Sequence, residues 1–131
     1  MKVFKILQAV PSMINAFSIP ILCVYILNTN NLTDAIGVQL SINAYLYPLY
    51  WLIVNIIFTL TTNASFKEIY IYNCINISTT AVLHWIGWYI GGAVMGDIET
   101  ELMTFYTVLF IAIVDAIVVC VGILYAKAIK R

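Results

Sequence analysis

Charge is what this 131-residue chain has least of: 9% of its residues are Asp, Glu, Lys or Arg, against roughly 25% in an ordinary soluble domain. With 63% hydrophobic residues and a mean hydropathy of +1.00, a soluble fold of this length would leave far too much apolar surface in water. Histidine occurs once, as His84, and no second carboxylate accompanies Asp115 inside an apolar run, so neither an aspartyl dyad nor a histidine-based metal site can be assembled. A phosphate-cradling glycine loop is also missing. These gaps argue against an enzyme and against any cofactor or resident metal. Cys23, Cys74 and Cys120 lie in apolar runs without a C-x-x-C pair and read as small hydrophobic side chains. The three basic residues that close the chain are too few for nucleic-acid binding and are accounted for as topology anchors.

Long uncharged runs are what the chain does have. Four stretches, about 6–27, 35–60, 66–95 and 102–126, fill it as one transmembrane domain with short connections. The last alone would be about 37 Å long as a helix, enough to cross a hydrocarbon core of roughly 30 Å with some tilt. The fold expected is therefore all-α, an integral membrane four-helix bundle whose main partner is the lipid bilayer. Lys2 and Lys5 precede an apolar run as in a signal peptide, but no small-residue cleavage site follows Leu27, and the first helix is read as retained.

The basic residues are sorted by side. With four crossings, the amino end, the 61–68 connection and the carboxyl end share one face of the membrane, and they carry Lys2, Lys5, Lys67, Lys127, Lys130 and Arg131, all six of the chain's cations. The other face carries Asp34, Asp97, Glu99 and Glu101. Both termini are thus expected in the cytoplasm, and dual insertion is disfavoured. The acidic outer loop is read as charge asymmetry and helix-dipole complement rather than as a cation site. A plasma-membrane (bacterial inner-membrane) protein, of bacterial or phage origin, fits this pattern.

Polar residues fall at helical spacing. In the first run Pro11 and Pro20 remove amide donors and free the carbonyls of Leu7 and Ala16, while Gln8, Ser12 and Asn15 share one inward face. The second run holds Pro48, Tyr45, Tyr47, Tyr50 and Trp51 with Gln39, Asn43 and Asn55. Ser65-Phe66-Lys67-Glu68 matches the S-x-x-E capping box. In the third run Asn73, Asn76, Thr80, His84, Gly87 and Gly91 recur at steps of three or four, and Gly87, Gly91, Gly92 and Gly96 present G-x-x-x-G spacing for close helix packing. That packing is open between the chain's own helices and a second chain. In the last run Thr104, Val108, Ala112, Asp115, Val119, Gly122 and Ala126 line one face.

Counted inward from the basic ends at about 1.5 Å per residue, Asn15, Thr80, His84 and Asp115 occupy one slab roughly 13 to 22 Å deep. A His84–Asp115 pair flanked by Thr80, Asn15 and Tyr50 is therefore expected. Three roles are open to it: a proton relay or substrate site, hydrogen-bonded glue between helices, or a contact to another chain. The functional expectation is a small polytopic protein acting by intramembrane helix association with itself or a partner membrane protein, of accessory, inhibitor or immunity type. The alternative is a proton-linked small transporter or flippase using the Asp/His pair. An internal repeat, common in carriers, is lacking: all three prolines fall in the first half and five of six glycines beyond residue 80.

Overall fold

The computed structural model describes residues 2–29, 32–95 and 98–130, and within them the side chains other than those of residues 26, 32–36, 91–95 and 98–104. Every described element is helical: α1 (Lys2–Thr29), α2 (Leu32–Ser41), a π-helical turn (Ile42–Leu46), α3 (Tyr47–Thr61), α4 (Phe66–Met95) and α5 (Ile98–Lys130). Three helices among the described residues are long and apolar enough to cross a membrane: α1, the stretch Gly37–Thr61, and Phe105–Lys130. The 30 residues of α4 are long enough, but the asparagines and threonines of its polar stripe dilute its hydropathy.

The π turn has a chemical cause. Pro48 has no amide hydrogen and its ring crowds the carbonyl four residues back, so the preceding turn widens and Tyr47 N–H donates to Ile42 O, five residues back. The turn interrupts no rod, because α2, the π turn and α3 run on without a break.

Helix starts and ends follow local chemistry too. Ser65 Oγ accepts from Glu68 N–H and Glu68 Oε2 accepts from Ser65 N–H, both at 3.2 Å, which is the reciprocal cap read from S-x-x-E. At the end of α3, Thr62 N–H donates back to Phe58 O at 3.0 Å. Lys130 then reaches over from α5, donating to the carbonyls of Thr59 and Thr62 and to Asn63 Oδ1. Lys127 donates to Ala64 O at 3.2 Å. Lys130 thus meets carbonyls that the end of α3 leaves open, and Lys127 meets one in the connection that follows it. Lys2 and Lys67 are exposed, as is Lys5, whose ammonium lies 5.8 Å from the centre of the Tyr72 ring. Arg131 lies outside the described residues.

These contacts, with Phe4 packed on Phe58, gather the start of α1, the end of α3, the start of α4 and the end of α5 at one end of the molecule. α4 packs against both α1 and α5, and α3 packs against α5 and α1. Tyr47, Trp51, Phe58, Ile69, Ile77, Val119 and Ile123 form the apolar core. Two glycines set the close approaches. A Cβ on Gly122 would come within 2.8 Å of Leu52 Cδ1 on α3, and one on Gly87 would meet Ile19 on α1 at 3.4 Å. Both therefore pack within the chain. Gly91 and Gly92 lie among the residues whose side-chain surroundings are not described, and Gly96 lies outside the described residues.

Candidate functional site

The interior between α1, α4 and the continuous rod of α2, the π turn and α3 is polar. Gln8, Asn15, Gln39, Asn43, Asn55, Asn73 and Asn76 are all buried, none more than 8% exposed. Amides in such a setting are tolerable only when bonded to one another or to backbone.

Two clusters do this. Near the gathered end, Gln8 Nε2 donates to Asn55 Oδ1 at 2.9 Å, and Asn55 and Asn73 exchange amide hydrogens at 2.9 and 2.7 Å. The second amide hydrogens of Asn55 and Asn73 go back to the carbonyls of Trp51 and Ile69, so three helices are tied by one connected set. Deeper in, Asn15 Nδ2 donates to Asn43 Oδ1 at 2.9 Å and to Thr80 O at 3.0 Å, and Tyr47 Oη–H donates to Asn15 Oδ1 at 2.9 Å. Ser12 Oγ lies 2.8 Å from Thr80 Oγ1. Asn43 Nδ2 donates to the Gln39 carbonyl at 2.9 Å, beside the π turn.

The proline in α1 explains two further bonds. Pro11 leaves Leu7 O without its helical donor, and the Tyr50 hydroxyl donates to it at 2.7 Å, while Trp51 Nε1–H donates to the adjacent Gln8 O at 2.9 Å. Tyr50 thus fills the gap that the proline opens, and among the described residues no hydrogen bond joins it to Asp115.

Of the residues expected to share a site, Asn15 and Thr80 are joined and His84 and Asp115 are not. Both of the latter are buried, at 3% and 4% exposure, yet among the described residues no hydrogen bond or ion pair links them. The register of α4 against α5 is the reason. Trp85 packs edge-on against Phe105 at 6.0 Å, and Tyr70 Oη–H donates to Ala116 O at 3.4 Å. Those contacts set Asp115 opposite the stretch 71–75, about nine residues or more from His84, which is about 14 Å or more along the axis. Depth counted from the helix ends placed the two within one turn because it gave α4 and α5 the same starting level. His84 instead packs edge-on against Trp88 at 4.7 Å and faces Ser18, Leu22, Gln39 and Gly87. Asp115 sits on the buried face of α5 with Val108, Ile111, Val119, Gly122, Ile123 and Ala126.

Five buried side-chain atoms have no hydrogen-bond partner among the described residues: Thr59 Oγ1, His84 Nε2, Trp85 Nε1, Trp88 Nε1 and Asp115 Oδ1. No group of three His, Cys, Asp or Glu side chains that could hold a metal ion occurs among the described residues. Lys127, Lys130, Asn63, Thr59 and Thr62 surround a cavity of about 280 Å³ at the gathered end. In the sequence these lysines are topology anchors alone, and no spacing in the chain signals that α5 folds its last turn over the end of α3. Asp34, Asp97, Glu99 and Glu101 lie outside the described residues or among those whose side chains are not described.

No family model matches the chain, and neither a curated protein nor a solved structure is similar to it.

Proposed function

We propose that this is a multi-pass protein of the cell membrane with four crossings and cytoplasmic termini, which works by helix association with another membrane protein or with itself. One observation carries the reading. The buried amides of α1, α3 and α4 are bonded chiefly to one another and to backbone carbonyls, so they serve as glue for a fixed body whose outward faces are free to dock. The side of the termini follows from the six cations, all of which belong to the end where α1 starts and α5 finishes or to the connection beside it. The alternative, a proton-linked transporter or flippase, is favoured by a different observation: Asp115 Oδ1 and His84 Nε2 are buried, unpartnered and separate, and could serve as successive stops rather than as a pair.

Asp115→Asn separates the two. Under the association reading the variant leaves pH-driven solute movement in proteoliposomes indistinguishable from protein-free vesicles, as in wild type, and co-purification of a membrane partner or the self-associated form is the property that outward-face substitutions abolish. Wild-type vesicles that move a solute with a pH gradient, and lose it in Asp115→Asn, would reverse the choice.

A further inference from the structure

A second cavity, of about 300 Å³, opens at the gathered end between the starts of α1 and α4 and the end of α3, at the lower limit of the roughly 300 to 1,000 Å³ typical of small-ligand pockets. Buried Gln8 lies at its foot, Phe58, Ile69 and the Tyr72 ring are its apolar walls, and exposed Lys5 and Glu68 stand at its rim. The Tyr72 hydroxyl fixes one wall by donating to Lys5 O at 3.2 Å.

Gln8 is the decisive residue. It is 1% exposed and its Nε2 is given to Asn55, but its carbonyl oxygen Oε1 accepts no hydrogen bond among the described residues. Oε1 is not one of the five unpartnered atoms that are sealed from any approach. The little surface that Gln8 keeps therefore includes this oxygen, and the cavity that Gln8 lines is where a donor reaches it. An amide oxygen left open in a cavity with apolar walls is stabilised by an N–H or O–H donor.

The charges at the rim narrow the chemistry of that donor. Glu68 uses Oε2 on the Ser65 amide and leaves Oε1 without a partner among the described residues. Lys5 lies 5.8 Å from the centre of the Tyr72 ring, and among the described residues its ammonium makes no hydrogen bond or ion pair. Water satisfies Gln8 alone, but it does not account for an acid and a base that line one cavity without pairing. A ligand that carries both charges does. Its ammonium gives one hydrogen to Gln8 Oε1 and another to Glu68, beside aromatic rings whose faces attract cations. Its acidic group pairs with Lys5 in the first turn of α1, where the helix dipole favours an anion. The cavity lies where helices end among lipid headgroups, and of the zwitterionic headgroups ethanolamine phosphate has N–H donors whereas choline phosphate has none.

We propose that Gln8, Glu68 and Lys5 form a binding site for an ethanolamine phosphate group. This chemistry has two sources, the headgroup of phosphatidylethanolamine and soluble phosphoethanolamine. The lipid source rests on the membrane placement proposed above, and the soluble one does not.

The test places the full chain in nanodiscs of phosphatidylcholine doped with phosphatidylethanolamine or its N-methyl or N,N-dimethyl form, and counts retained lipids by native mass spectrometry. All of these headgroups have the same net charge and differ stepwise in N–H donors, down to none in choline. Retention over phosphatidylcholine is expected for the ethanolamine and N-methyl forms, which can serve both oxygens. It is expected to fall about tenfold for the N,N-dimethyl form, the factor that one hydrogen bond to a charged group contributes. Glu68→Gln, which keeps a capping side chain at α4, is expected to lower retention of phosphatidylethanolamine about tenfold and Lys5→Gln about fivefold. Lys67→Gln, which removes an exposed cation outside the cavity, is expected to leave it as in wild type. Soluble phosphoethanolamine is expected to raise the melting temperature of lipid-free wild type and not of Glu68→Gln, with phosphocholine inert on both. A response to the soluble zwitterion without lipid selectivity keeps the site and counts against the membrane placement. Thermal melts without ligand separate loss of fold from loss of binding. Equal retention of every headgroup by wild type, with no response to phosphoethanolamine, overturns the site. So does a loss as large in Lys67→Gln as in Lys5→Gln.

Discussion

The two seams of this molecule are built from different materials. Between α1, α4 and the rod of the π turn and α3 the contacts are amide to amide, Gln8 to Asn55 to Asn73 and Asn15 to Asn43. Along α5 the buried face is Val108, Ile111, Val119, Ile123 and Ala126, broken once by Asp115. In a membrane the apolar seam gains little from hiding hydrocarbon, since lipid is equally apolar, and it relies on close packing at Gly122. The amide seam relies on directional bonds whose alternative is an unsatisfied group. Polarity placed in pairs holds helices together, whereas the single carboxylate across the molecule contributes no bond among the described residues and is a candidate for work instead.

The sharpest way to break that contrast is Asn55→Leu. It strips partners from both Gln8 and Asn73 and is expected to cost about 3 kcal/mol, several bonds of about 0.6 to 2 kcal/mol each, read as a lowered unfolding midpoint in detergent. Asp115→Leu is expected to do the reverse and raise stability by about 2 kcal/mol, because it removes a buried charge-bearing group with an unpartnered oxygen. A loss of stability there would mean that the carboxylate is glue after all. Tyr50→Phe, which reopens the Leu7 carbonyl, is expected to cost about 1 kcal/mol in the same melt. Gly122→Ala forces Leu52 aside and should lower the midpoint by about 1 kcal/mol, while Gly87→Ala, with room at 3.4 Å, should change it by less than half as much. Between these two glycine variants comes Ser65→Ala at the exposed cap, about 0.5 kcal/mol.

Much of this was legible in the order of residues. The all-helical class follows from the apolar runs, the cap before α4 from Ser65 and Glu68, the inward face of α1 from the spacing of Gln8, Ser12 and Asn15, and the gap at Leu7 from Pro11. What spacing cannot supply is the register between helices. His84 and Asp115 are each inward-facing, but which residue stands opposite which depends on how far α5 slides along α4, and that is set by contacts such as Trp85 on Phe105 that no single helix encodes. The same limit applies to Lys130, whose acceptors lie 67 to 71 residues away in sequence. Pairing among the seven buried amides is a third instance, since spacing along each helix does not say which amide on a neighbouring helix lies at its level.

The π turn has one more consequence. Gln39, Asn43, Tyr47, Trp51, Asn55 and Thr59 are buried at every fourth position, a spacing that an unbroken α-helix cannot keep on one side. Over the sixteen residues from Gln39 to Asn55 a regular helix would swing about 160° away, and one inserted residue takes back about 100° of that. The widened turn before Pro48 is thus a phase corrector: excising a single residue from it would leave both halves of the rod intact and twist one against the other, sending the Trp51–Asn55 side towards lipid.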